Sequence, residues 1–253
     1  MQKLAPLHLL VMTFIITLNA PQSVADEIRV AVASNFAETI KVIAQRFEAE
    51  SGHTVKLVFG STGKHYAQIM NGAPFNLFFA ADARRVKLLE KEGVTVSGSR
   101  VTYAIGRLVL WSPLDGYVDP EGEIIEDGGF RYLAIANPKL APYGKAAQKV
   151  LQGRGLWSEL RGRMVRGENI GQTFQFVKSG NVELGFVAYS QVKRPDYPVE
   201  GALWEVPQRL YPPIIQQAVL LKRGDSSAAR AFFSFVQGSE AREIIGEFGY
   251  GVP

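Results

Sequence analysis

Short β-branched runs alternate with helix-period segments along almost the whole chain, and that alternation leaves few folds open. Residues 28–33 read as a strand and 36–50 as a helix, with Phe36, Ile40, Ile43, Ala44 and Phe47 on one face. Gly52 ends that helix and 54–59 forms the next strand. A helix over 63–71 closes at Asn71-Gly72, the run from Asn76 to Ala80 is a short buried strand, and Asp82 starts a helix carrying Val86, Leu88 and Leu89. Repeated βαβ units predict an α/β fold with a mostly parallel sheet flanked by helices on both faces. Ligands of such sheets sit beyond the carboxyl ends of the strands.

Two longer apolar stretches, 102–111 and 214–221, bracket a second βα set with strands at 131–136, 163–166 and 183–188 and helices near 143–152 and 171–179. Helices at 226–237 and 239–247 follow. The expected organisation is two-lobed, with the ligand in the cleft. Residues 26–107 plus 217–253 make lobe 1, 108–216 make lobe 2, and the two long stretches cross between them. The Gly/Pro/Asp-rich segment 112–130 reads as a surface excursion of the second lobe.

The first residues constrain where this fold works. Lys3, an apolar run from Leu9 to Leu18 and the Ser23-Val24-Ala25 site have the form of a cleavable signal peptide over residues 1–25. The expected mature chain starts at Asp26, is exported to the periplasm and contains no later stretch long enough to span a membrane. There are no cysteines, so neither disulfides nor a lipid attached to cysteine at the cleavage site are expected. The net charge is +4, falling to +3 without Lys3, and the charges are interspersed. That distribution argues against a nucleic-acid partner.

The chemistry lies at the strand-to-helix junctions. Ala33-Ser34-Asn35-Phe36 and Gly60-Ser61-Thr62-Gly63 end their strands in small hydroxyl and amide residues, with no Asp, Glu, His or Cys at the tip. Helix starts leave N–H groups unpaired and carry partial positive charge, so such a turn can hold an anion through neutral donors. The plainer reading is that Ser34 and Thr62 only cap their helices. The segments from Ala136 to Gly144 and from Arg166 to Gln172 are further junctions of this kind, the first with Pro142 suited to a helix start. Four such turns facing one cleft would make an anion site.

These motifs, with Asn71-Gly72-Ala73-Pro74, Ala80-Ala81-Asp82 and Gly185-Phe186-Val187-Ala188, keep an order that resembles the periplasmic molybdate-binding proteins of ABC transporters. The resemblance covers essentially the whole mature chain and implies the type II periplasmic binding protein fold. It also implies a molybdate oxyanion held between lobes by hydroxyls and backbone N–H groups, with no further metal or cofactor. Carried over motif by motif, it assigns Ser34 and Asn35 from the first turn, Thr62 with Ser61 from the second, and Tyr143 and Ile170 through their backbone N–H groups. Some members of that family place a ligand-binding tyrosine where this chain has Ala188. Tyr189 comes one residue later and is expected to face the other way. The implied role is a monomeric receptor for molybdate, with tungstate as second ligand, that delivers to a membrane permease and ATPase.

Rival readings meet specific obstacles. Gly60-Ser61-Thr62-Gly63-Lys64 approaches a phosphate-binding P-loop, but Val58 stands at its first glycine and His65 at its magnesium-binding hydroxyl, and no Gly-x-Ser-x-Gly elbow occurs. A secreted enzyme is therefore disfavoured, and His53 and His65 are expected on the solvated surface. A ferric-ion receptor would want clustered tyrosines and carboxylates. A phosphate receptor would want a carboxylate in the cleft to accept the ligand's proton, and the candidate, Glu168, is expected to point away. Sulfate suits a donor-only site and would have to be excluded by cavity size.

Overall fold

A computed structural model describes residues 26–195 and 199–253. The cleavable leader expected over residues 1–25 lies outside the described residues. In chain order the elements of the first half are β1 (Glu27–Ala33), α1 (Ala37–Ser51), β2 (Thr54–Gly60), α2 (Thr62–Met70), β3 (Leu77–Ala80), α3 (Ala83–Lys91), β4 (Val101–Gly106) and β5 (Leu108–Ser112). They continue with α4 (Ile124–Asp127), β6 (Leu133–Ala136), α5 (Pro142–Gly153), β7 (Met164–Gly167), α6 (Ile170–Lys178), β8 (Leu184–Ala188) and α7 (Tyr189–Val192). The chain closes with β9 (Ala202–Glu205), β10 (Ile214–Leu220), α8 (Ser227–Phe235) and α9 (Ser239–Glu247).

The strands form two five-stranded sheets with the same plan, β2-β1-β3-β10-β4 and β7-β6-β8-β5-β9. In each, the first three strands are parallel and the fourth runs against both its neighbours. Both sheets are therefore mixed, with one reversed strand, and in both that strand is the one the chain enters on arriving from the other lobe. The stretch read as one crossing strand over 102–111 is two strands that change sheets at Arg107. The second apolar stretch does not cross. β10 pairs within the first sheet from Ile214 onward, and the return is made ahead of it by residues 206–213. Pro212 and Pro213 there lack the N–H that a sheet ladder requires.

Each sheet is covered on both faces, which explains its continuous apolar runs. Alternate residues of β1 divide between two cores: Ile28, Val30 and Val32 face α1, α8 and α9, while Ala31 faces Val86 and Leu89 of α3. In the second lobe Leu108 and Leu110 pack with Ala147 and Val150 of α5, and Val109 and Trp111 with Phe174 and Val177 of α6. Local signals set the helix ends. The side chains of Ser61, Asp82, Asn169 and Ser226 each accept a first-turn N–H, and α1 stops at Gly52, whose φ of 72° is left-handed.

Candidate ligand-binding site

The register brings the four turns together in pairs. The β1–β2 ladder ends at Ala33 opposite Gly60, so Ser34 and Ser61 leave the first sheet side by side. In the second lobe Ala136 opposes Gly167, and the turns leading to α5 and α6 leave together. The two pairs face each other across the cleft. Gly171 N–H donates to Ser34 Oγ at 3.0 Å, and Gly63 N–H donates to the Leu140 carbonyl at 2.9 Å. Arg85 Nη2 reaches the Lys139 carbonyl at 2.8 Å, Ser190 Oγ donates to the Asn35 carbonyl at 3.1 Å, and Lys64 pairs with Glu168 at 3.0 Å. This is a closed cleft.

All six residues expected at the site lie on these turns. The hydroxyls of Ser34, Ser61 and Thr62 share one arrangement: each oxygen already accepts a backbone N–H, from Gly171, Lys64 and Ala81 respectively. With that acceptor position filled, each hydroxyl proton is left to donate. Ser61 and Thr62 therefore do cap and brace their own lobe, and that role is compatible with donation to a ligand. Ile170 begins α6 and Tyr143 follows Pro142 at the start of α5, so neither N–H has an intrahelical acceptor. Among the described residues no hydrogen bond joins Ser61 or Thr62 to the other four. Their helix reaches the second lobe through the Gly63–Leu140 bond and the Lys64–Glu168 pair.

Asn35 is a hub. It is 3% exposed, and its Nδ2 donates both protons within the protein, to Gln216 Oε1 at 2.8 Å and to the Tyr250 hydroxyl at 3.1 Å. The Tyr250 hydroxyl in turn donates to the Asn35 carbonyl at 2.8 Å. The side-chain amide thus has no proton left for an anion, and the backbone N–H is the donor Asn35 can offer. Its Oδ1 is buried with no partner among the described residues. Behind it, Tyr103 donates to Gln216 Oε1 at 2.9 Å, and Gln216 Nε2 donates to the Tyr143 hydroxyl at 3.1 Å. Burial, with a smaller contribution from neighbouring phenols, pushes the Tyr103 and Tyr143 hydroxyls well above their usual range. Burial also raises Tyr250, so all three remain protonated donors. Sequence reading missed Gln216, Tyr103, Tyr250 and Ser190.

The carboxylates around the turns are engaged elsewhere. Asp82 pairs with Arg85 at 2.6 Å and Glu38 with Arg194 and Lys41, while Glu168 reaches Lys64 at the rim. A cavity of about 260 Å³ opens beside Ser34 and Asn35, lined also by Asn169, Gly171, Ser190 and the paired Glu38 and Arg194. Among the described residues no cluster of His, Asp and Glu could hold a metal ion, and no helix is long and apolar enough to cross a membrane. Tyr189 packs its ring against Arg107 and Lys193, and a Cβ on Gly249 would fall 2.7 Å from it.

His65 is a correction. Read as a solvated residue, it is 1% exposed, with Nε2 donating to the Val32 carbonyl at 3.1 Å and Nδ1 3.0 Å from the Gln68 amide. The ring sits behind the second turn, where a Cβ on Gly60 would come within 2.9 Å of Nε2. Burial holds its pKa below the ordinary imidazole value, so the ring is neutral. The sequence carried a signal for this: Thr62, His65 and Ile69 recur at helical spacing on the buried face of α2.

Comparison with known proteins agrees with this architecture. The profile of the bacterial extracellular solute-binding proteins matches residues 28–251. The molybdate-binding protein ModA of Azotobacter vinelandii is 50% identical over 229 residues, covering 90% of this chain and 91% of that protein. ModA of Rhodobacter capsulatus is 46% identical over 227 residues, 89% of this chain and 88% of its own. A solved structure of the Azotobacter vinelandii periplasmic molybdate-binding protein superposes with a TM-score of 0.87 at 41% identity, spanning 89% of this chain and 99% of that one. The chain described here belongs to the bacterial extracellular solute-binding proteins, in the group that contains these molybdate-binding relatives.

Proposed function

We propose that this chain is a periplasmic receptor for molybdate, with tungstate as second ligand, serving an ABC importer. The observation that carries the reading is the closed cleft. Four strand-to-helix turns from two lobes meet there, their hydroxyls oriented as donors and the neighbouring carboxylates paired away from them. Such a surface favours a fully ionised oxyanion and leaves no unpaired carboxylate beside it to take a proton from phosphate, since Glu38, Asp82 and Glu168 are each held by a cation. In this reading Ser34, Ser61 and Thr62 donate through hydroxyls, and Asn35, Tyr143 and Ile170 through backbone N–H groups. The relatives named molybdate-binding proteins favour molybdate over sulfate, phosphate or ferric iron. The chain acts as a monomer after removal of residues 1–25, closes its lobes on the anion, and presents it to a membrane permease and its ATPase.

Calorimetric titration with molybdate, tungstate, sulfate and phosphate tests the reading. Molybdate and tungstate should bind and raise thermal stability, by about 2.7 kcal/mol at a hundredfold excess over the dissociation constant. Phosphate or sulfate binding in their place would overturn it.

A further inference from the structure

Gln216 is fully buried in β10, where only its neighbour Gln217 is also polar, and its amide is used at both ends. Its Oε1 accepts from Asn35 and Tyr103 of the first lobe, and its Nε2 donates to Tyr143 of the second. The local backbone is shaped around this side chain. Where β10 meets β4, the register jumps from Gln216–Ala104 to Gln217–Thr102, leaving Tyr103 as the extra residue of a β-bulge. Bulges re-aim side chains, and here the bulged tyrosine directs its hydroxyl at Gln216 Oε1. Gly106 leaves the room required, since a Cβ there would lie 2.3 Å from the Tyr143 hydroxyl and 2.7 Å from Gln216 Nε2.

We infer that Gln216 is a positioning residue that couples closure of the lobes to the setting of the anion-binding turns. It holds Asn35 and Tyr143 at once, and so fixes the first-lobe and second-lobe backbone donors at one mutual spacing. The polarity of the amide matters: a carboxylate could not donate to Tyr143, and a hydrocarbon could hold neither side. The inference rests on the receptor reading given above.

The test uses Gln216→Met, Tyr143→Phe and the double variant, each titrated with sodium molybdate and unfolded in urea without ligand. Gln216→Met leaves Asn35 Nδ2 its bond to Tyr250 and the Tyr103 hydroxyl its bond to the Ala80 carbonyl, so the core remains largely satisfied. Gln216→Met should lower molybdate affinity about ten- to a hundredfold and Tyr143→Phe about three- to tenfold, and the double should be no weaker than Gln216→Met alone. Molybdate-induced compaction in small-angle scattering should also be incomplete in Gln216→Met. A merely structural glutamine would lower urea stability and leave affinity and compaction untouched, which overturns the inference, as do losses that simply multiply in the double variant. Should Gln216→Met not fold, Tyr143→Phe decides, and wild-type affinity in it is the overturning result. A wild-type chain that ignores molybdate would overturn the receptor reading and this coupling with it.

Discussion

Gly171 and Ser34 meet across the cleft, N–H to hydroxyl at 3.0 Å, and a Cβ on Gly171 would fall 3.1 Å from that of Ser34. Gly63 stands in the same relation to the opposite lobe, where a Cβ would lie 3.0 Å from the Leu140 carbonyl oxygen. Neither glycine has a positive φ. Close approach of the lobes, rather than backbone conformation, accounts for both.

Gly63→Ala therefore separates closure from folding. Alanine is the better helix former, by up to about 1 kcal/mol, so the unliganded protein should unfold at the wild-type temperature or above. Within its own lobe the added methyl meets the flexible end of Arg85 at 3.0 Å, which can move aside, whereas the Leu140 backbone of the other lobe cannot, so the clash falls chiefly on the closed form. Overpacking of about 1–3 kcal/mol corresponds to a loss of roughly five- to 150-fold in molybdate affinity. Thermal unfolding without ligand and calorimetry with ligand check the two halves. A variant with both unchanged would show that the Gly63–Leu140 contact is not part of the liganded form.

Thr62→Val should damage two properties at once. Loss of a hydroxyl donor to a charged ligand should cost about 1.5–3 kcal/mol, or ten- to a hundredfold in affinity. The Ala81 N–H that Thr62 now accepts at 3.0 Å would be left unpaired in the interior, lowering folding stability by about 1–3 kcal/mol. Thr62→Ser retains the oxygen and should recover most of both. Titration and urea unfolding of the three proteins measure this, and wild-type affinity in Thr62→Val would remove Thr62 from the site.

His65 predicts an acid-side loss of stability. Burial lowers its folded-state pKa below the ordinary 6.5, so as pH falls the unfolded chain takes up this proton first. The contribution is fully present above the unfolded value and is lost as pH falls from about 6.5 toward the folded value, at no more than about 1.4 kcal/mol per pH unit. His65→Gln should flatten the difference between urea stabilities at pH 7 and pH 5. An unchanged slope would mean that His65 does not contribute to it.

Most of the architecture was legible because it is written in local periodicities. β-Branched runs ending in Ser, Asn or Thr marked the sheet ends, and Pro142 and Gly52 marked helix boundaries within a residue or so. The four strand-to-helix turns were legible for the same reason, since the free N–H groups of a helix start are a local arrangement. What lay behind them was not. Tyr250 reaches Asn35 from 215 residues away, and no window of sequence contains both. Gln216 sits beside a second glutamine in a strand whose residues from Gln216 to Leu220 are all buried, so no alternation in the sequence shows which of the two amides faces the site. The second crossing was misplaced because a strand buried on both faces looks the same in whichever sheet it lies.

The placement of β10 has a consequence for the order in which the molecule can be completed. The second sheet is built entirely from one contiguous stretch, Leu108 to Glu205, and is whole once that stretch has been made. The first sheet is not: β3 and β4 are not neighbours, and the gap between them is filled by β10, where Gln217 pairs with Ala80. Closing that gap requires a long loop to be brought back, and pairings of high sequence separation are slow to form. The lobe that begins the chain is thus the last to be finished, and until β10 arrives the turn carrying Asn35 lacks the Gln216 amide that holds it in place.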